Sequence, residues 1–355
     1  MYRTVKLSPA GPLLLAGGTI WLVFSQPECC AQTLHEGLLL CGGPLLVSLF
    51  PLLIVSSLLM QCGAGELLGF LFQPIARLVG IRSRAAGGVL LIGFLGGFAP
   101  AANAVAEAVR AKELTPAEAS ALLPACICSG PSFVILTVGE QLLGSRSLGV
   151  QLFVAQVLAG YLTAAVLGRV FGIEYIQQEA PGQEQDSVTV VHLDAVIAQA
   201  AITYTKLCGF VLYFRLLAAG CGQLLPGLAA VLPAMLLEVC SGCDLASKTG
   251  LWASGLCCAA LSLQGASVLL QVRTICPPEI SLRPLLTGRL LHLPLSLAIF
   301  YLGLPQQAVE TFNTLCGRVV TMQRVPTDCA LIVFWGCCLF ASEMCRLHTR
   351  ETTEK

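Results

Sequence analysis

The stretch Val89-Leu90-Leu91-Ile92-Gly93-Phe94-Leu95-Gly96-Gly97-Phe98-Ala99-Pro100-Ala101-Ala102-Asn103 decides how this chain is read. It is apolar enough to enter a bilayer, yet Gly93, Gly96, Gly97 and Pro100 interrupt it. A transmembrane helix needs about 20 mostly apolar residues in a row. Bare, non-helical backbone at membrane depth is tolerated only where protein or a water-filled cavity covers it. The segment 87–110 therefore predicts a re-entrant hairpin rather than a plain span. A second interrupted segment, 226–248, contains Pro226, Pro233, Glu238, Ser241, Gly242 and Asp244 and predicts a second hairpin.

The rest of the sequence supplies the membrane context. Of 355 residues, 56% are hydrophobic and 11% charged, and mean hydropathy is +0.81. Soluble domains carry about 45–50% apolar and about 25% charged residues. This balance excludes an ordinary soluble enzyme, and also disorder, which needs low hydrophobicity and high net charge. Continuous apolar runs, without apolar–polar alternation, exclude a transmembrane barrel. The fold class is all-α, a polytopic membrane protein. Runs near 10–25, 38–60, 117–143, 148–171, 194–217, 250–272, 285–303 and 328–345 give about eight transmembrane helices beside the two re-entrant hairpins. Lys+Arg and Asp+Glu are both 20, and no basic domain points to a nucleic-acid partner. The 18 Cys lie mostly in apolar segments and read as small reduced core residues. Cys240 and Cys243 have redox spacing, but no βαβ pattern surrounds them. The first run follows Arg3 and Lys6 and lacks a small-x-small cleavage site, so a membrane helix fits better than a signal peptide.

The organisation is that of two halves. Residues 1–36 hold a membrane helix and an external loop, and 37–172 form a first repeat. Residues 173–192 are a polar cytoplasmic linker carrying Glu174, Glu179, Glu184 and Asp186. Residues 193–303 form a second repeat, and 304–355 a loop, the last span and a tail. Residues 58–68 resemble 216–225. Each is followed by an interrupted segment and then by a long helix broken at its middle, at Ser129-Gly130-Pro131-Ser132 and at Gln264-Gly265-Ala266-Ser267. The same order twice suggests internal duplication. Cytoplasmic loops carry the excess Lys/Arg. Arg77, Arg82 and Arg84 follow the second span, whereas the corresponding stretch 218–237 has no Lys or Arg. Opposite orientation of the halves, an inverted repeat, follows, with both termini cytoplasmic in a multi-pass cell-membrane protein.

Inverted repeats with discontinuous helices gather their binding groups at the midplane. Four breaks are therefore the candidate site. The first holds Gly97, Pro100 and Asn103; the alternative is close helix packing by small residues. The second holds Ser129, Gly130, Pro131 and Ser132, where Pro131 frees a carbonyl one turn back; the alternative is a structural kink. The third holds Glu238, Ser241 and Gly242. A carboxylate at membrane depth costs about 2.5–3.5 kcal/mol on insertion scales and is usually functional or paired. The fourth holds Gln264, Gly265, Ser267 and Gln271, one helix face; the alternative is interhelical bonding. Asp244 and Lys248, four apart, suit a helix pair. Lys206 and Arg215 could snorkel, and Arg289 and His292 suit a structural pair near the inner end of a span. No activated nucleophile, metal triad or acid–base pair appears at usable spacing, which points away from an enzyme.

These breaks, with their neighbours, resemble the YlbJ-type sporulation integral membrane proteins, which carry a nucleoside-recognition gate domain. The resemblance runs from about residue 37 to 300. It takes in Leu49-Phe50-Pro51-Leu52-Leu53, Gln73-Pro74-Ile75-Ala76-Arg77, Gly96-Gly97-Phe98, Leu114-Thr115-Pro116-Ala117-Glu118 and Ser129-Gly130-Pro131. In the second half it takes in Glu238-Val239-Cys240-Ser241-Gly242, residues 265–272 and Arg283-Pro284-Leu285-Leu286-Thr287-Gly288-Arg289. Several of the family's polar positions are replaced: its Lys by Asn103, and an Asn, an Asn and a His by Ile127, Ser241 and Leu269. The resemblance implies a membrane protein needed for the spore cortex in endospore-forming Firmicutes, with a transport role. The expectation is a secondary-transporter-like protein for a small polar solute. Its one site would hold Asn103, Ser129, Ser132, Glu238, Ser241, Gln264, Ser267 and Gln271. It would need no cofactor beyond a coupling ion, H+ or Na+. The rival expectation is a structural protein that recruits a membrane partner or a second copy of itself.

Overall fold

A computed structural model describes residues 10–61, 69–170, 193–223, 225 and 227–303, and every regular element in them is helical. Helix α1 (Ala10–Ser25) ends at Gln26, where Pro27 opens α2 (Pro27–Leu40). Proline suits that first position because its missing N–H would have no helical partner there. The two helices meet at 106°. α2 then passes through a π-helical turn (Cys41–Leu45) into α3 (Leu46–Gln61). The external loop expected before residue 37 is thus absent: 27–36 are helical, and the bend is made by a single residue.

After α4 (Gln73–Val79) the chain bends by 108° into α5 (Arg84–Gly96), which packs on α6 (Phe98–Arg110). This pair is the first hairpin, turned at Gly97. Thr115 and Glu118 form a reciprocal capping box that starts α7 (Pro116–Cys126). The backbone is irregular over 127–130 and continues as a π-helix (Ser132–Leu142) and α8 (Arg146–Val170). In the second half, α9 (Leu193–Gln223) precedes a hairpin of α10 (Val231–Leu237) and α11 (Val239–Ser247), turned at Glu238. α12 (Ala253–Leu263) and α13 (Gly265–Ile275) are separated by Gln264 alone, and α14 (Arg283–Gly303) follows. The order hairpin, interrupted helix, long helix occurs in both halves.

Among the described residues, four helices are long and apolar enough to cross a membrane: Arg146–Arg169, Leu193–Gln223, Gly250–Ile275 and Arg283–Gly303. Up to six do so if each bent pair counts as one span. The chain is therefore an all-helical membrane protein. Run 117–143 is split at 127–130. The linker 173–192, residues 304–355 with the last expected span and Glu343, residues 62–68, and Arg3 and Lys6 lie outside the described residues.

Packing follows small residues and lipid-facing stripes. Gly139 meets Gly149 where the π-helix crosses α8; a Cβ on Gly149 would stand 2.7 Å from the Ile135 carbonyl. α14 lies against α8, α7 and α12 and so joins the halves. Val150, Val154, Leu158, Leu162 and Val166 recur every four residues on α8 and are exposed, an apolar face suited to lipid. α1 likewise exposes Leu13, Leu14, Trp21 and Phe24, and rests on α9 through Leu22 against Gly220.

Candidate functional site

All four interrupted segments reach one cavity. Its lining includes Gly96, Gly97 and Pro100 from the first hairpin, and Ser129 and Gly130 from the first break. Glu238 comes from the second hairpin and Gln271 from α13. The hairpin tips rest on the breaks. Gly97 has φ +80, and a Cβ there would stand 2.7 Å from the Gly130 nitrogen. Gly265 has φ +70, and a Cβ there would stand 2.8 Å from the Glu238 nitrogen. Only glycine combines such φ values with such approach. The same tip-on-break contact thus occurs once in each half.

Glu238 turns the second hairpin and caps α11. Its Oε1 accepts from the Cys240 amide at 2.8 Å, and its Oε2 accepts from the Ser241 amide at 2.6 Å and the Ser241 hydroxyl at 2.8 Å. The carboxylate is buried, 1% exposed. No Lys or Arg among the described residues comes within ion-pair distance of it. The carboxylate is met by these two amides and the hydroxyl, by the Cys240 side chain and by the positive end of α11. The residue lines the cavity. The cavity wall is otherwise apolar, with Leu49, Leu53, Phe98, Phe133, Val211 and Val268. Its water-fillable volume is about 30 Å³, room for roughly two waters.

The expected set divides. Gly97, Pro100, Ser129, Gly130, Glu238 and Gln271 meet at the cavity. Asn103 does not: it sits two turns along α6 from the tip and is half-buried away from the lining. Ser132 has a buried hydroxyl without a partner among the described residues and lies off the cavity, on the π-helix that Pro131 caps. Ser241 serves Glu238, and Gly242 packs under Met235, where a Cβ would approach to 2.9 Å. Ser267 accepts from Gln271 Nε2 at 3.1 Å, orienting that amide at the cavity edge.

Gln264 faces away from the cavity, into a polar cluster that spacing did not reveal. Its φ is +61. Its Nε2 donates to the Ile127 carbonyl at 3.0 Å, and its Oε1 accepts from Arg289 at 2.7 Å. Arg289 also donates to the carbonyls of Ile127, at 3.0 Å, and Ser262, at 3.2 Å. The Ser262 hydroxyl and His292 Nδ1 are 2.5 Å apart, and His292 Nε2 lies 3.1 Å from the Gln156 carbonyl. A ring nitrogen facing a carbonyl carries a proton, so the neutral tautomer that fits has Nδ1 accepting from the Ser262 hydroxyl. Arg289 and His292, expected as a pair near a span's end, are both buried and meet through Ser262, Arg289 at its carbonyl and His292 at its hydroxyl. Arg215, read as snorkelling, is 9% exposed and bonds Asp244 at 2.8 Å and Glu36 at 3.0 Å. Asp244 does pair with Lys248, at 3.1 Å. Lys206 is exposed.

Among known proteins, the chain is similar to the sporulation integral membrane protein YlbJ of Bacillus subtilis (strain 168), 28% identical over 171 residues. The match covers 47% of this chain and 42% of that protein, so the chain matches less than half the relative's length. No family model matches the chain, and no solved structure matches it.

Proposed function

We propose that this chain is a secondary-transporter-like protein of the cell membrane that moves a small polar solute during spore formation. One observation carries the reading. Four interrupted segments, two from each half, meet around a buried carboxylate that has no basic partner among the described residues. Glu238 holds the coupling H+ or Na+, while Ser129, Gln271 and the bare backbone of both tips contact the solute. The likeness to a sporulation integral membrane protein supports the setting. The halves are an inverted repeat of gate-type units, the full set of spans numbers eight, and both ends of the chain are cytoplasmic. Alternating access moves one half against the other. It is required here, because solute pockets usually run to about 300–1,000 Å³, far above the space between the closed tips. The protein has no catalytic role and no resident cofactor.

A second reading has its own support. The apolar wall and the small volume also suit a structural membrane protein that recruits a partner or a second copy. Proteoliposomes on a solid-supported membrane separate the two. A panel of nucleosides, applied under a Na+ gradient and then a pH gradient, should evoke currents with wild type and none with Glu238→Gln. Folded wild type giving no current with any of them favours the structural reading, and wild-type currents from Glu238→Gln remove that residue from coupling.

A further inference from the structure

Arg289 lies outside the cavity and is 7% exposed. No Asp or Glu among the described residues comes within ion-pair distance of it. Three oxygens converge on its guanidinium instead. Nη2 donates to the Ile127 carbonyl at 3.0 Å and to Gln264 Oε1 at 2.7 Å, and Nη1 donates to the Ser262 carbonyl at 3.2 Å. Nε has no partner among the described residues. Ile127 ends α7, Ser262 belongs to the last turn of α12, and Gln264 is the break itself. The guanidinium therefore stands where the carbonyl ends of the two broken helices cross.

Each helix C-terminus carries a partial charge of about −0.5. Two such ends sum to about −1, which one guanidinium cancels. In transporters with discontinuous helices, unwound carbonyls and half-helix C-termini of this kind coordinate small cations. We infer that Arg289 is a tethered cation, neutralising the crossing of the two broken helices in the place where a free metal ion would otherwise be needed. Arginine suits the task, since it stays charged and its planar fork reaches several acceptors at once. Gln264 Nε2, bound to the same Ile127 carbonyl, keeps Oε1 turned to the guanidinium. The crossing then needs no Na+, whatever ion Glu238 takes up, and this holds whether or not the chain transports a solute.

The test is thermal unfolding of the full chain in detergent, in choline, sodium and guanidinium chloride at equal ionic strength and low millimolar cation. Arg289→Ala should unfold roughly 5 °C or more below wild type in choline. Part of that loss should return with guanidinium or Na+, because the vacated oxygens accept a free cation. Arg289→Lys, which keeps a charge without the fork, should lose clearly less in choline than Arg289→Met, which keeps volume alone. The inference is overturned if Arg289→Met matches wild type in choline, or if folded Arg289→Ala responds to no cation beyond the response of wild type. Should Arg289→Ala fold in no salt, the Lys and Met variants decide: a clearly smaller loss for Lys than for Met supports it, and equal behaviour overturns it.

Discussion

At the scale of residues, Gly97 makes the sharpest claim on stability. Its φ of +80 with ψ of −162 belongs to a region occupied almost only by glycine. A methyl group there would also meet Gly130 backbone at 2.7 Å. Gly144 separates the two costs, since its φ is +70 with nothing within 4 Å of a Cβ. Gly144→Ala should cost about 1 kcal/mol from backbone alone. Gly97→Ala should cost about 2–4 kcal/mol, since strain and overlap add. Melting of the two variants in detergent checks this, and equal losses would mean that the tip yields. The place of Gly97 and Glu238 at the two hairpin turns was legible because each breaks an apolar run. Asn103 was misplaced by the same reasoning: a polar residue near a break need not face it, and the helical turn decides. The Arg289 cluster was illegible because two of its three acceptors are backbone carbonyls, which every residue carries.

At the scale of elements, the second hairpin is fastened to the bundle by ions. Arg215 on α9 bonds Asp244 on α11 and Glu36 on α2. Sequence spacing showed Asp244 with Lys248 because the pair shares one helix. Arg215 comes from 29 residues away, and no local period announces it. The Asp244 side chain is 16% exposed and that of Glu36 45%. Water therefore screens the second bond far more than the first. Asp244→Asn leaves the buried guanidinium leaning on an exposed acid and should cost about 2–4 kcal/mol. Glu36→Gln should cost about 0–1 kcal/mol. Urea or thermal unfolding of the two variants tests the order, and a larger loss for Glu36→Gln would reverse the account of which bond docks the hairpin.

At the scale of the whole molecule, charge distribution bears on how the halves face the membrane. Ser83 bonds the Glu113 carbonyl at 2.9 Å, and the Ser281 amide bonds Ser120 at 2.9 Å. These bonds bring the segments bearing Arg82, Arg84, Arg110, Lys112, Arg273 and Arg283 to one end of the bundle. Together with Arg77, they form the kind of excess that cytoplasmic loops carry, and in the proposed topology this end faces the cytoplasm. The second hairpin's connection, 218–237, carries no Lys or Arg and should lie at the opposite end. A hairpin entered from one side in the first half and from the other side in the second is what an inverted repeat requires. A topology reporter fused after residue 112 should therefore read cytoplasmic, and the same reporter after residue 230 should read external. If the two reporters agree, the hairpins enter from the same face. The repeated element order would then describe a parallel arrangement, and rocking of one inverted half against the other could not be how the cavity opens.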